Sequence, residues 1–272
     1  MKAFVIAGST YREVVRHPAY YIVLGVALVL IWLSYSISFF QLSGEITSEV
    51  LQMGVASMSV CSLFLAVLGA SRTIYEEVEN RAALTVLSKP VSRASYVLGK
   101  FLGVYRAVLF AVVLLTLSLL TRVWLEMDVG ARLAEEGESH WSVLAVFYEA
   151  SELPVKGALL ALGEAAILTA MAVLLSTWLP FEGSAIVLLG FFLAGHFSGA
   201  IRALCEERGW TWIARILYYL IPTLEDFSID RAIATGSPVS HGYIVWTWAY
   251  GLTVTAGILF LALVLFRERE LA

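Results

Sequence analysis

The chain has 272 residues, is 60% hydrophobic and 15% charged, and carries a net charge of −4 at a mean hydropathy of +0.82. A soluble globular domain is about 45–50% apolar and about 25% charged, so the excess here needs the bilayer as its solvent. The weakly acidic balance excludes a nucleic-acid footprint.

Residues 1–19 predict a short amphipathic helix lying on the membrane surface. Phe4, Ala7, Gly8, Tyr11 and Val15 recur at helical spacing, with Lys2, Ser9, Arg12, Glu13 and Arg16 on the other side. The brief apolar run after Lys2 is not expected to be a cleaved leader. Six segments then reach the ~20 residues that cross a ~30 Å hydrocarbon core. They lie near 20–40, 51–71, 97–121, 156–178, 183–201 and 243–266. The expected fold is a single all-α domain over 1–272, a polytopic membrane protein with six transmembrane helices. Backbone groups in lipid must pair within each segment, and the alternating strands of a barrel are absent.

Lys and Arg in the short flanks predict that both termini and residues 72–96 are cytoplasmic. The segment between the second and third spans is charged and helix-prone over 76–87. It is broken at Pro90 and then turns basic at Arg93. Glu76, Glu77, Glu79 and Arg81 offer ion pairs, with Asn80 between them. Val78, Leu84, Val86 and Leu87 offer apolar anchors, and Ser92 can cap the next helix. A segment of this kind suits a docking surface for a cytoplasmic partner.

The outer loops predict short interfacial or re-entrant helices. One is expected at 141–148 within an acidic loop, and one around 210–222, where Trp and Tyr suit the headgroup layer. Pro180-Phe181-Glu182-Gly183 predicts a tight turn between the fourth and fifth spans.

Enzymatic motifs are missing. No GxxxxGK[ST] phosphate loop occurs, nor HExxH, GxSxG or CxxC. His17, His140, His196 and His241 are scattered, Cys61 and Cys205 are far apart, and no metal set is expected. Three ionisable residues fall inside spans: Arg106, Glu164 and His196. Such groups are costly in lipid and mark function by default. By depth, Arg106 and Glu164 could meet near the middle; the alternative is that Arg106 snorkels inward and Glu164 reaches water. Gly195 and Gly199 have the GxxxG spacing that lets helices approach closely, either between two copies or within one.

Residues 77–100 resemble the loop between the second and third spans of ABC-2-type transporter permeases. Glu77, Glu79, Asn80, Arg81, Leu87, Ser88, Lys89, Pro90, Val91, Ser92, Arg93, Gly99 and Lys100 stand at matching positions. Ala82 and Ala83 replace residues that are often Thr or a larger apolar one. Residues 221–227, with Pro222, Leu224, Glu225 and Phe227, are similar to an outer-loop element of the branch related to permeases for multicopper-enzyme maturation. Thr223 and Asp226 stand there in place of two asparagines.

The resemblance implies a non-enzymatic permease subunit in the bacterial inner membrane. It implies a homodimer seated on separate ATP-binding subunits, with ATP and Mg bound by those partners and no cofactor on this chain. The helix around 76–87, within the 72–96 coupling region, would be the coupling helix that turns ATP binding and hydrolysis into substrate export or translocation. A rival expectation is a non-transporting anchor that passes ATP-driven motion to an extracytoplasmic partner protein.

Overall fold

The computed structural model describes residues 2–38, 46–79, 92–126, 140–208, 222–235, 237 and 239–268, and every regular element among them is a helix. Helix α1 is Lys2–Arg16 and α2 is Pro18–Ser38. They meet at His17 with a 66° bend. Pro18 opens α2, where its missing N–H is harmless, and the Ala19 N–H donates to His17 Nδ1 at 3.1 Å. Helix α3, Ile46–Ala70, runs into a π turn at Ser71–Tyr75 and then α4, Glu76–Glu79. Helix α5, Arg93–Glu126, begins on the expected Ser92 cap, whose Oγ accepts the Ser95 N–H at 3.2 Å. Helices α6 (His140–Ser176), α7 (Phe181–His196), α8 (Ser198–Glu207), α9 (Asp230–Thr235) and α10 (His241–Glu268) follow, with a short 3-10 turn at Glu225–Phe227.

Four of these helices are long and apolar enough to cross a membrane: Val50–Tyr75, Arg93–Leu125, Ser151–Ser176 and His241–Phe266. The number rises to six if the bent pairs α1–α2 and α7–α8 each count as one span. The chain is a multi-pass membrane protein. The fifth expected span, 183–201, is not one straight helix. Its first part, α7, has 16 residues, or ~24 Å at 1.5 Å per residue, short of the ~30 Å core. The chain then turns 70° into α8.

Two further expectations are corrected. Residues 141–148 do not form a separate interfacial helix; they belong to α6, which runs unbroken for 37 residues despite Pro154. The turn expected at 180–183 falls at 177–180, because Pro180 takes an extended ψ of 174° and α7 starts directly after it. The helix expected around 210–222 lies outside the described residues, apart from Pro222.

Burial ranks the helices. In α3 and α6, 72% and 78% of the apolar window is inside the bundle, against 39% in α5 and 28% in α10. Helix α6 sits at the centre and is buried on several faces, with the small Ala158, Ala161, Ala165, Ala166, Ala170 and Ala172 interleaved among the large Leu160, Ile167 and Leu168. Small side chains let helix backbones approach where lipid offers no hydrophobic drive. Helix α1 lies on α5 by the same device. A Cβ on Gly99 would stand 2.8 Å from Ile6 Cβ, and one on Gly103 2.5 Å from Thr10 Cβ. The buried face of α1 is therefore Ala7, Thr10 and Val14, while Phe4 points outward, 75% exposed, instead of joining the packed face with Ala7.

Candidate functional site

The charged segment between α3 and α5 is braced at both described ends. On the entry side, Glu76 pairs with Arg72 at 3.4 Å one turn earlier, and Arg72 also contacts His17 at the α1–α2 bend. Glu77 turns inward: it accepts from Tyr96 Oη at 2.7 Å and from Lys100 Nζ at 2.6 Å. Lys100 is only 3% exposed and lies 5.5 Å over the Tyr96 ring. Tyr96 stacks in turn on Phe266 of α10, and Arg93 Nη1 reaches the Phe266 carbonyl at 3.5 Å. One carboxylate thus ties the end of the α3–α4 unit to the start of α5, and α5 to the end of the last helix. The sequence reading offered Glu77 to a partner; its carboxylate instead belongs to this brace. Glu79 lies on the last residue of α4. Asn80, Arg81, Leu84, Leu87, Lys89 and Pro90 lie outside the described residues.

At the other end of the bundle, the 222–239 segment does not stay at the surface. Leu224, Phe227, Ile229, Ile233 and Val239 are all buried. Phe227 enters a slot made by two glycines: a Cβ on Gly163 would meet its ring at 2.7 Å and one on Gly251 at 2.9 Å. Gly251 stands ten residues into α10, so the ring reaches ~15 Å into the bundle at 1.5 Å per residue. Gly157 admits Ile229 in the same way.

Gly195 and Gly199 serve this insertion. A Cβ on Gly195 would lie 2.6 Å from Leu224 Cγ, and one on Gly199 2.7 Å from Glu225 Oε2. The Leu224 N–H donates to the Gly195 carbonyl at 3.2 Å. Glu225 thereby rests against the first turn of α8, where the helix dipole favours an anion. From α10, Tyr243 Oη donates to the Asp226 carbonyl at 2.7 Å, and Tyr250 Oη accepts the Thr223 N–H at 3.0 Å. Lys156 of α6, itself buried, donates to the Val239 carbonyl and pairs with Glu152 at 2.5 Å. The segment is a plug, held on α6, α7, α8 and α10.

Beneath the plug lies a polar centre. Glu164 of α6 is 1% exposed. Its Oε2 accepts from Ser59 Oγ of α3 at 2.7 Å. Its Oε1 has no hydrogen-bond partner and lies 3.6 Å from Nε2 of His196, the last residue of α7. The His196 ring sits against Phe192, centroids 4.4 Å apart, and its Nδ1 meets the Phe192 carbonyl at 3.2 Å. The field of Asp230 reaches both members, and that of Glu225 reaches His196.

Arg106 and Glu164 do not pair. Arg106 is exposed and its guanidinium lies 4.9 Å over the Tyr11 ring of α1, whereas Glu164 faces α3 and α7. Depth along the helices was compatible with the pair; helix rotation is not. The sequence carries no signal for Ser59 as the partner of Glu164 or for the burial of Lys100. Gly99-x-x-x-Gly103 carried a spacing signal for the α1 contact that went unread. Among the described residues no group of His, Cys, Asp and Glu could hold a metal ion.

No protein-family model matches this chain, and no curated protein matches it significantly.

Proposed function

We propose that the chain is the membrane subunit of an ABC-2-type transporter, moved by a separate ATP-binding subunit that docks on residues 76–93. In this reading the subunit works as a homodimer in the bacterial inner membrane. Both termini and the docking segment are cytoplasmic, and the partner supplies ATP and Mg. ATP binding and hydrolysis there drive export or translocation of a substrate.

The observation that carries the reading is the Glu77 brace. A partner pulling on residues 80–91 would load both attachment points of that segment. The Glu77 contacts to Tyr96 and Lys100 join those points, so the load passes into α3 and α5 together and is not absorbed by a hinge. The Arg93 and Tyr96 contacts with Phe266 carry it on to α10. A solvated linker with no partner has no use for a carboxylate held on an almost fully buried lysine.

The deciding experiment is capture of the cognate ATPase by the full-length protein, with ATPase activity measured in reconstituted membranes. Amphipathic helices dock by apolar anchors, and truncating a central anchor costs ~2 kcal/mol or more while rim charges cost less. Leu84→Ala with Leu87→Ala should release the ATPase or uncouple it, and Glu79→Ala should do less. Full binding and coupling in the double variant would overturn the docking assignment.

A further inference from the structure

The Glu164–His196 contact has a proton-counting consequence. A carbonyl oxygen only accepts, so the Nδ1 that meets the Phe192 carbonyl at 3.2 Å carries the hydrogen. In a neutral imidazole that leaves Nε2 as a bare lone pair. It faces Glu164 Oε1 across 3.6 Å, and Ser59 already serves the other carboxyl oxygen. Glu164 is 1% exposed and the His196 side chain 24%, so two lone pairs facing each other here would repel with little solvent to screen them. A single proton resolves this, either as a carboxylic acid donating to Nε2 or as an imidazolium facing a carboxylate.

We propose that Glu164 and His196 form a one-proton binding site, and that this proton latches the 222–239 plug onto the break between α7 and α8. His196 is the last residue before the break, and Gly195 beside it gives its carbonyl to the Leu224 N–H. Among the described residues, Ser59 of α3 bonds Glu164, and the acidic side chains whose fields reach the pair are Glu225 and Asp230 of the plug. Losing the proton leaves the two lone pairs opposed, and moves His196 away from Glu164. The plug is latched at low pH and released as pH rises. The inference stands whether or not an ATPase partner exists.

The test uses the full-length chain with Cys61→Ala, Cys205→Ser and Leu224→Cys, in detergent and in lipid nanodiscs. The thiol at 224 is closed off while the plug is seated, since Leu224 is 0% exposed. Its labelling rate is followed over roughly pH 5 to 9, which brackets ordinary His and Glu titration. Glu164→Gln on the same background is the reference, because its amide can donate to Nε2 and accept from Ser59 without titrating. Dividing the two rates cancels the thiol's own pH dependence. The ratio should rise with pH by up to about tenfold per unit, the limit for one linked proton. His196→Gln should remove the rise, and Ser59→Ala should shift it without removing it. A ratio that stays flat with pH, or a rise that survives His196→Gln, would overturn the proposal.

Discussion

Two glycines on α7 should answer the same substitution with opposite signs. Replacing a helical glycine by alanine gains ~1 kcal/mol of helix propensity. At Gly190 nothing lies within 4 Å of the added Cβ, so Gly190→Ala should stabilise by up to that amount. At Gly195 the Cβ would fall 2.6 Å from Leu224 Cγ and 2.7 Å from its Cδ1. Leu224 has nowhere to retreat: it is fully buried, and its own N–H is bonded to the Gly195 carbonyl. Overpacking of this kind costs ~1–3 kcal/mol, so Gly195→Ala should end neutral to ~2 kcal/mol destabilising, a difference of ~1–3 kcal/mol from its neighbour. Gly199→Ala should fall between, because it meets the mobile end of Glu225.

Apparent melting temperature in one detergent is the measurement, read as a rank order because unfolding of such proteins is commonly irreversible. Leu224→Ala supplies the cross-check. Alone it should destabilise by ~2–5 kcal/mol, and on that background Gly195→Ala should lose its cost, a coupling that a double-mutant cycle isolates. Equal melting of Gly190→Ala and Gly195→Ala would refute the packing argument. So would a Gly195→Ala defect that changes dimer yield and ignores Leu224→Ala, which would move the glycine to a subunit interface.

The brace should respond unequally to loss of its two charges. Side-chain exposure is 4% for Lys100 and 25% for Glu77. Glu77→Ala strands a buried ammonium, on the scale of ~3–5 kcal/mol. Lys100→Met leaves a carboxylate that water can reach and should cost clearly less, and the double variant should melt above Glu77→Ala alone. Equal melting of the two single variants would show that the pair is not buried as described. For topology, a cysteine at Glu136 should react with an impermeant thiol reagent added outside intact cells and one at Lys89 should not. Outside labelling at 89 would reverse the proposed orientation.

The features legible in the sequence were those with a periodic or compositional signal. The long apolar runs gave the spans of α3, α5, α6 and α10, and Ser92 gave the start of α5 from its capping chemistry. The α7–α8 break was not legible, because hydropathy is continuous through Gly195-His196-Phe197 and registers apolarity without direction. The plug was hidden for the opposite reason. Residues 222–239 are too polar and too interrupted to score as membrane-buried, yet Leu224, Phe227, Ile229, Ile233 and Val239 are buried among protein, where irregular backbone is tolerated. Its signal was distributed over four glycines, Gly157, Gly163, Gly195 and Gly251, on three helices, and only their assembly makes the slot. Depth along the spans allowed Arg106 to meet Glu164, but partner choice depends on helix rotation, and packing places His196 beside Glu164 instead.

That same packing connects the two ends of the bundle. Lys100 and Tyr105 stand five residues apart on α5, or ~7.5 Å, and Tyr105 Oη donates to the Leu162 carbonyl of α6 at 3.2 Å. The next residue, Gly163, carries the Phe227 ring, and the one after is Glu164. Under the proposed function, a load on the docking segment enters α5 through Lys100 and meets α6 within one turn of the polar centre. Helix α5 moves with α1, since the Gly99 and Gly103 contacts leave no room for sliding side chains between them. Proximity alone is not coupling, which requires an element with two discrete arrangements. The one junction on this path built for two arrangements is the α7–α8 break, where a helix already ends and a buried proton stands between opposed lone pairs. If loop and plug communicate, Glu164→Gln should hold the plug seated without disturbing the Glu77 brace, and ATPase stimulation should be lost while ATPase binding is kept.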